Sequence, residues 1–345
     1  MIDIKKSLSK NERIRYFVRF FRNLNNINAI YDMNHIYENP ESFFVEHRGN
    51  ANKGMLILPL VVDQKDDGFW AIMRRVLAGL YYARENGMIP VVEWTFNIPY
   101  AERPGFMGTD NPFEYYFNPI TVNDWKNSCS VVRTKEISGG YTVGRLYVAF
   151  VWVENKFGGN YSMTDEYISE MSKIWKDYIS FNDITVTKVC NTGVIAEITA
   201  HKTLGVHVRG TDFKDKNAGH PVCVEEKEHI KYARELIQNK GYDRIFLATD
   251  EERIIGEFAD EFGDMVICYD DILRSVDGRP VHLSGNERKD HGYLLGIEIL
   301  KDSYALASCT GLICGMSQVS NGVRIIKQSE GLSFEDLVII DRGLN

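Results

Sequence analysis

The sequence has little of what marks many functional classes. Its six cysteines, at positions 129, 190, 223, 268, 309 and 314, form no C-x-x-C pair. Disulfide frameworks and structural zinc sites need close or regular cysteine spacing, so neither is expected. Cys268 and Cys314 lie inside apolar runs, where a reduced thiol acts as a small hydrophobe. The longest uninterrupted apolar runs, MLILPLVV (55–62) and LYVAFVWV (146–153), fall far short of a membrane span of roughly 20 residues. Basic residues are in deficit, 40 Lys plus Arg against 48 Asp plus Glu, for a net charge of −8. Nucleic acid is not an expected partner, because that affinity comes from neutralising phosphates with basic side chains. The G-x-x-x-x-G-K-[ST] loop, the G-x-G-x-x-G fingerprint and the G-x-S-x-G elbow are all missing. P-loop NTPases, ordinary dinucleotide dehydrogenases and α/β-hydrolases lose their main support. There is no H-E-x-x-H, no D-x-D and no carboxylate–histidine cluster, so no metal is expected.

What is present fits a folded globular chain: 345 residues, 44% hydrophobic and 26% charged. That length suits two domains of about 150 residues each. Met1 is followed by a charged stretch without an apolar h-region or cleavage site, so the cytoplasm is the expected location. Residues 1–50 form a basic extension, in which Ile14, Phe17, Val18, Phe20, Phe21 and Leu24 recur at near-helical spacing. An amphipathic helix over 11–24 could dock on its own domain or lie against the inner face of an anionic membrane.

From Gly54 onward the pattern alternates strand and helix. The run 55–62 reads as a strand buried on both faces, followed by a helix through Ile72, Val76 and Leu80 that stops at Asn86-Gly87. Pro90–Trp94 is the next strand, which completes one βαβ unit. A helix near 164–180, capped by Thr164, leads to a boundary around 182–200. The second half repeats the alternation. It has strands at 203–208, 244–248, 265–269, 311–315 and 323–327, and helices at 224–239, through Phe262 and at 292–307. The expected fold is therefore α/β, with one Rossmann-like domain over 51–195 and a second over 196–345. Ligands of such doubly wound sheets bind in the cleft beyond the carboxyl ends of the strands.

GVHVRGTDF (205–213) carries the most chemistry. His207 and Arg209 stand two apart at a strand's end, so both project from the same face. A guanidinium is a rigid, permanently charged fork suited to phosphate oxygens. Gly210 and Thr211 supply a tight turn, and Asp212 can hold Arg209 or the turn's backbone. The ordinary structural alternative is an Arg–Asp ion pair closing a strand end.

This segment resembles the H-x-R-x-x-D signature of the α-1,6-fucosyltransferase and protein O-fucosyltransferase superfamily. The likeness continues, in the family's order, at DGFWAIMRRVLAGLYYARENG (67–87), FLATDEE (246–252) and GIEILKDSYALASCTGLICGMSQVSN (296–321). The resemblance implies an inverting, metal-independent transferase of GT-B architecture. Two Rossmann-like domains would flank the cleft, and GDP-fucose or another GDP-sugar would be co-substrate with no further cofactor. By the resemblance Arg209 holds the β-phosphate and His207 the nucleoside or diphosphate. Asp302 meets the guanine edge, whose two adjacent N–H donors a carboxylate can accept. Ser317, Gln318 and Ser320 face a phosphate from a helix N-terminus, and Thr249 and Asp250 line the nucleotide pocket. Each could instead be plain capping or a solvated helix charge.

An inverting transfer needs a base. Asp67, ahead of Gly68 and Phe69, matches an acidic catalytic position of some protein O-fucosyltransferases. Its neighbour Asp66 would raise its pKa, since adjacent carboxylates oppose each other's ionisation. Asp212 and Asp215 compete for the role. One departure stands out: the α-1,6 branch has two consecutive arginines where this chain has Arg209-Gly210, and Arg74 or Arg75 would have to supply the missing contact. The reading is a bacterial cytoplasmic glycosyltransferase of surface polysaccharide synthesis, with a glycan or lipid-linked acceptor. The alternatives are a non-catalytic sugar-nucleotide-binding protein of the same fold and a phosphatase-type hydrolase using His207 and Arg209.

Overall fold

The computed structural model describes residues 44–133, 153–154, 156–158, 164–210, 220–276, 281 and 288–345, together with Phe17, Phe21 and Leu24. The expected helix over 11–24 and the run 146–152 lie outside the described residues. Of the former, Phe17 and Phe21 are helical and exposed.

The first half contains β1 (Phe44–Glu46), β2 (Ile57–Val62), α1 (Phe69–Glu85), β3 (Ile89–Trp94), β4 (Val131–Arg133) and α2 (Asp165–Tyr178). Its sheet has the order β1-β4-β2-β3. β2 and β3 run parallel in register Ile57 to Ile89 through Val62 to Trp94, as the βαβ reading requires. β1 runs antiparallel to β4, so this sheet is mixed. Thr164 caps α2 by accepting the amide of Tyr167 at 3.1 Å.

The expected boundary at 182–200 is helical. A short turn at Asp183–Thr185 runs into one π-helical turn, and α3 (Gly193–Ala200) follows. Val189 and Ile198 anchor this segment in the core.

The second half contains β5 (Thr203–Val208), α4 (Glu226–Lys240), β6 (Arg244–Thr249), α5 (Glu252–Phe262), β7 (Val266–Ile267), α6 (His291–Ser308), β8 (Gly311–Gly315), α7 (Gln318–Ser329) and β9 (Leu337–Ile340). All five strands are parallel in the order β7-β6-β5-β8-β9. The chain winds outward from β5 to β7 and then returns to β8 on the other side. The topological switch point therefore lies between β5 and β8, where such sheets bind ligands. The run 323–327, expected as a strand, is the core of α7. Ser317 caps that helix, and a run as short as Val323–Lys327 does not by itself distinguish strand from helix.

Strand alternation sorts the second sheet onto two layers. Leu204, Val206, Leu247 and Ile313 pack beneath α4 and α5. Phe246, Ala248, Leu312 and Cys314 face the other way, into a core that continues without a break into the first half. α6 and α7 carry this continuity. The indole of Trp70 donates to Ser303 Oγ at 2.7 Å, and Arg324 Nη2 donates to Asp165 at 2.8 Å. A Cβ on Gly322 would stand 2.2 Å from the Trp70 ring, and one on Gly296 would stand 2.3 Å from the Tyr116 ring. Helix and ring can touch at these two positions because no side chain intervenes. Among the described residues no helix is long and apolar enough to cross a membrane.

Candidate active site

A cavity of about 490 Å³ opens between the two halves at the switch point. One wall comes from the second half: His207 and Arg209 at the tip of β5, Thr249 and Asp250 ending β6, Asp302 on α6, and Ser317 and Gln318 at the start of α7. The opposite wall is the N-terminus of α1, with Asp66, Asp67, Gly68, Phe69, Arg74 and Arg75. The structure thus gathers these separated sequence positions around one space. Ser320 stands just behind it, and Asp212, Asp215 and Thr211 lie outside the described residues.

Arg209 is held from below by Asp250. Asp250 Oδ2 stands 3.6 Å from Arg209 Nε, and Oδ1 accepts the amide of Gly210 at 2.7 Å. Asp250, directly after β6, thus contacts both the Arg209 side chain and the backbone of the turn. Gly210, where the resembled α-1,6 branch has a second arginine, packs closely against Glu251. A Cβ there would lie 2.7 Å from a carboxylate oxygen of Glu251, so a larger residue would collide with that acid. Nor are the two α1 arginines idle. Arg74 Nη2 pairs with Glu154, and Arg75 contacts Asp67 Oδ2 through Nε at 3.1 Å and Nη2 at 3.0 Å.

His207 is buried, and burial together with the neighbouring Arg209 pulls its pKa down to about 3. It is therefore a neutral imidazole at ordinary pH, with Nδ1 3.4 Å from Ser320 Oγ. Ser320 donates to the Gly315 carbonyl at 2.8 Å and lies 2.9 Å from Ser317 Oγ. Ser317 in turn accepts the Ser320 amide at 3.0 Å. This network fixes the first turn of α7 so that its N-terminus, with Gln318, meets the cavity. An unsatisfied helix N-terminus carries partial positive charge and amide donors suited to an anion.

Asp302 is buried, and its Oδ1 has no hydrogen-bond partner among the described residues. Burial pushes its pKa up to about 7, against the opposing charges of Arg274 and Lys301. A buried carboxylate oxygen without a donor is costly and suits a ligand that brings one. Around it Ile272, Leu273, Val281, Leu295 and Ile299 form an apolar rim.

On the facing wall, Asp67 meets Arg75 rather than Asp66 alone. Phe69 borders the cavity but is almost wholly buried, with its ring set edge-on against Trp94, Tyr100 and Tyr116. Its amide donates to Tyr100 Oη at 2.7 Å, which anchors the entry to α1.

Several lining residues escaped sequence reasoning: Glu154, Glu298, Tyr100 and the apolar rim. Glu154 follows a segment without clear periodicity. Glu298 precedes Asp302 by one helical turn, and its two oxygens accept from Arg288 at 2.6 and 2.8 Å. The i, i+4 spacing of two acids on an otherwise apolar helix was the one available signal. Among the described residues no group of three or more His, Cys, Asp or Glu side chains converges on a cation position.

No protein-family model and no curated protein matches the chain. Among solved structures it resembles POFUT1 in complex with GDP-fucose, with a TM-score of 0.49 and 10% identity over 86% of this chain and 100% of that one. It also resembles POFUT1 in complex with GDP, with a TM-score of 0.45 and 11% identity over 85% and 99% of the two chains. For the POFUT1 apo form the TM-score is 0.46 at 10% identity, over 85% and 99%.

Proposed function

We propose that the chain is an inverting, metal-independent glycosyltransferase that moves a sugar, fucose by the sequence resemblance, from a GDP-sugar to an acceptor hydroxyl. The observation that carries this reading is a single cavity in which a strand-tip arginine, a helix N-terminus and a donor-seeking buried carboxylate meet. Those are the complements of a diphosphate and of a base edge with two N–H donors. Arg209 and the amides opening α7 grip the diphosphate. His207 stays neutral and offers a hydrogen bond without adding charge. Asp302, as an anion, accepts the N1–H and the exocyclic amine of guanine, and the apolar rim covers the ring faces.

In the transfer, the bond between the sugar's anomeric carbon and the β-phosphate oxygen breaks, and its electron pair leaves with GDP. Negative charge grows on that oxygen, where Arg209 is already in place to stabilise it. The acceptor oxygen forms the new bond from the opposite face, and Asp67 takes its proton. Arg75 holds Asp67 in orientation. The acceptor docks against the α1 wall, and a glycan or lipid-linked saccharide of surface polysaccharide synthesis fits that wall's polar lining. The enzyme works in the cytoplasm, with the basic N-terminal segment against the membrane's inner face.

A thermal-shift panel without added metal tests the donor assignment. A nucleotide at 100 times its dissociation constant adds about 2.7 kcal/mol of stability. GDP should raise the melting temperature, whereas ADP, UDP and CMP should not. Stabilisation by UDP alone would overturn the guanine assignment.

A further inference from the structure

α6 lays one face along the cavity. Leu295, Glu298, Ile299 and Asp302 all line it, at the i, i+3, i+4, i+7 spacing of a helical stripe. Among the described residues two buried acids line the cavity, and both stand on this stripe. The reaction above uses only one of them, Asp302. Glu298 sits one helical turn earlier, with its side chain 9% exposed.

A buried acid is costly unless a cation and donors compensate it. For Glu298 they come from Arg288, just ahead of α6. Arg288 Nη1 donates to Oε1 at 2.6 Å and Nη2 to Oε2 at 2.8 Å, the bidentate geometry of a strong arginine–carboxylate pair. The third edge of the guanidinium is fixed as well, because Nε donates to His291 Nδ1 at 3.0 Å. Asp302 differs: its Oδ1 has no partner among the described residues. Of two buried acids on one helix face, then, one has both oxygens taken by the protein and the other keeps an oxygen for a ligand.

We propose that Arg288 is a positioning residue that sets base specificity. By engaging both oxygens of Glu298 it withdraws that acid from the slot, so Asp302 is the buried carboxylate that accepts from the base. Guanine suits this pattern, since its N1–H and exocyclic amine are adjacent and both can meet one carboxylate. A released Glu298 would add a second acceptor one turn away, where adenine's exocyclic amine could donate to it. It would also stand as an uncompensated buried charge on the same face as Asp302. Selectivity here comes from an acceptor withheld as much as from one offered. The inference rests on the GDP reading above.

The test uses the full chain with R288M, R288M/E298M and R288K, and measures GDP and ADP dissociation constants by calorimetry. In R288M, GDP should bind about tenfold more weakly and its preference over ADP should narrow about tenfold, the lower range for a charged hydrogen bond. R288M/E298M removes the released acid too, so affinity and preference should both return to within about threefold of wild type. An Arg288 that merely braced the chain ahead of α6 would allow no such recovery. A double variant as weak as R288M therefore overturns the proposal, as does R288M with wild-type affinity and preference. R288K covers a methionine variant that fails to fold. Its ammonium lacks the fork and leaves one Glu298 oxygen open, so the preference should narrow about threefold. An unchanged preference in R288K overturns the proposal. A wild-type chain that prefers another nucleotide overturns the guanine reading instead, and recovery in R288M/E298M, read on that nucleotide, still decides the role of Arg288. A wild-type chain that binds no nucleotide overturns both.

Discussion

Replacing Asp302 with asparagine should stabilise the unliganded protein while it disables nucleotide binding. Burial moves this carboxyl from its ordinary pKa of 3.8 to about 7. A rise of about 3 units at about 1.4 kcal/mol each sets a ceiling near 4 kcal/mol on the cost of keeping it charged. A carboxyl whose folded pKa is raised binds its proton more tightly in the folded chain than in the unfolded one. Stability therefore declines as pH climbs from about 4 to about 7, and the full cost stands above that window. Asparagine escapes the cost but still buries a polar amide without a partner, so roughly half the ceiling, about 2 kcal/mol, should appear at pH 8.5. For a chain longer than 250 residues that corresponds to a rise in Tm of roughly 3 °C. At pH 5 both side chains are neutral and the two melting curves should nearly coincide. The assay is thermal unfolding of both proteins at the two pH values, with GDP calorimetry alongside. The asparagine amide turns a donor toward guanine's own donors, so affinity should fall about 30- to 100-fold, the worth of a charged hydrogen bond. A variant that is less stable at pH 8.5, or equally shifted at both pH values, would refute the reasoning.

Arg209→Ala should weaken GDP binding by about 30- to 100-fold in calorimetry with little change in Tm, since the side chain reaches into the cleft rather than the core. Asp67→Asn should keep GDP affinity within about twofold while lowering turnover at least about 100-fold in a sugar-transfer assay. Comparable loss of both would move Asp67 from the base to the donor site. Gly322→Ala pushes a methyl group into the Trp70 ring and should cost about 1–3 kcal/mol in urea denaturation. His207 has its pKa lowered to about 3, so the unfolded chain takes up its proton first as pH falls. Its contribution to stability is present above about pH 6.5 and is lost progressively toward pH 3. His207→Asn should therefore flatten the acid side of the stability profile, which denaturation at pH 4 and pH 7 would detect.

Much of this molecule was legible before folding. Strand and helix periods locate β2, α1, β5, β6, α6 and β8 to within a few residues, because each is a buried run or a long amphipathic pattern closed by ordinary end signals. Thr164 caps its helix where the pattern expects it. Arg209 at a strand's tip is legible for the same reason, since a motif of adjacent residues needs no tertiary contact to be seen. The misreading is equally physical. Residues 323–327, expected as a strand, form a helix: Ser317 caps its first turn, and Arg324 and Lys327 interrupt the apolar run.

What no local pattern encodes is which distant residues meet. Asp250 braces Arg209 because β6 lies beside β5 in the sheet order, a fact of pairing and not of spacing. Asp67 finds Arg75 eight residues on, about two helical turns away, and Glu154 reaches Arg74 across 80 residues of chain. Lys301 and Asp271 meet through the return of α6 over the second sheet. The sequence by itself determined the alternation, the strand tips and the charged motif, since these depend on backbone period and end chemistry. Only the tertiary structure decided the company each charge keeps, because burial and long-range pairing set the electrostatics of the cleft.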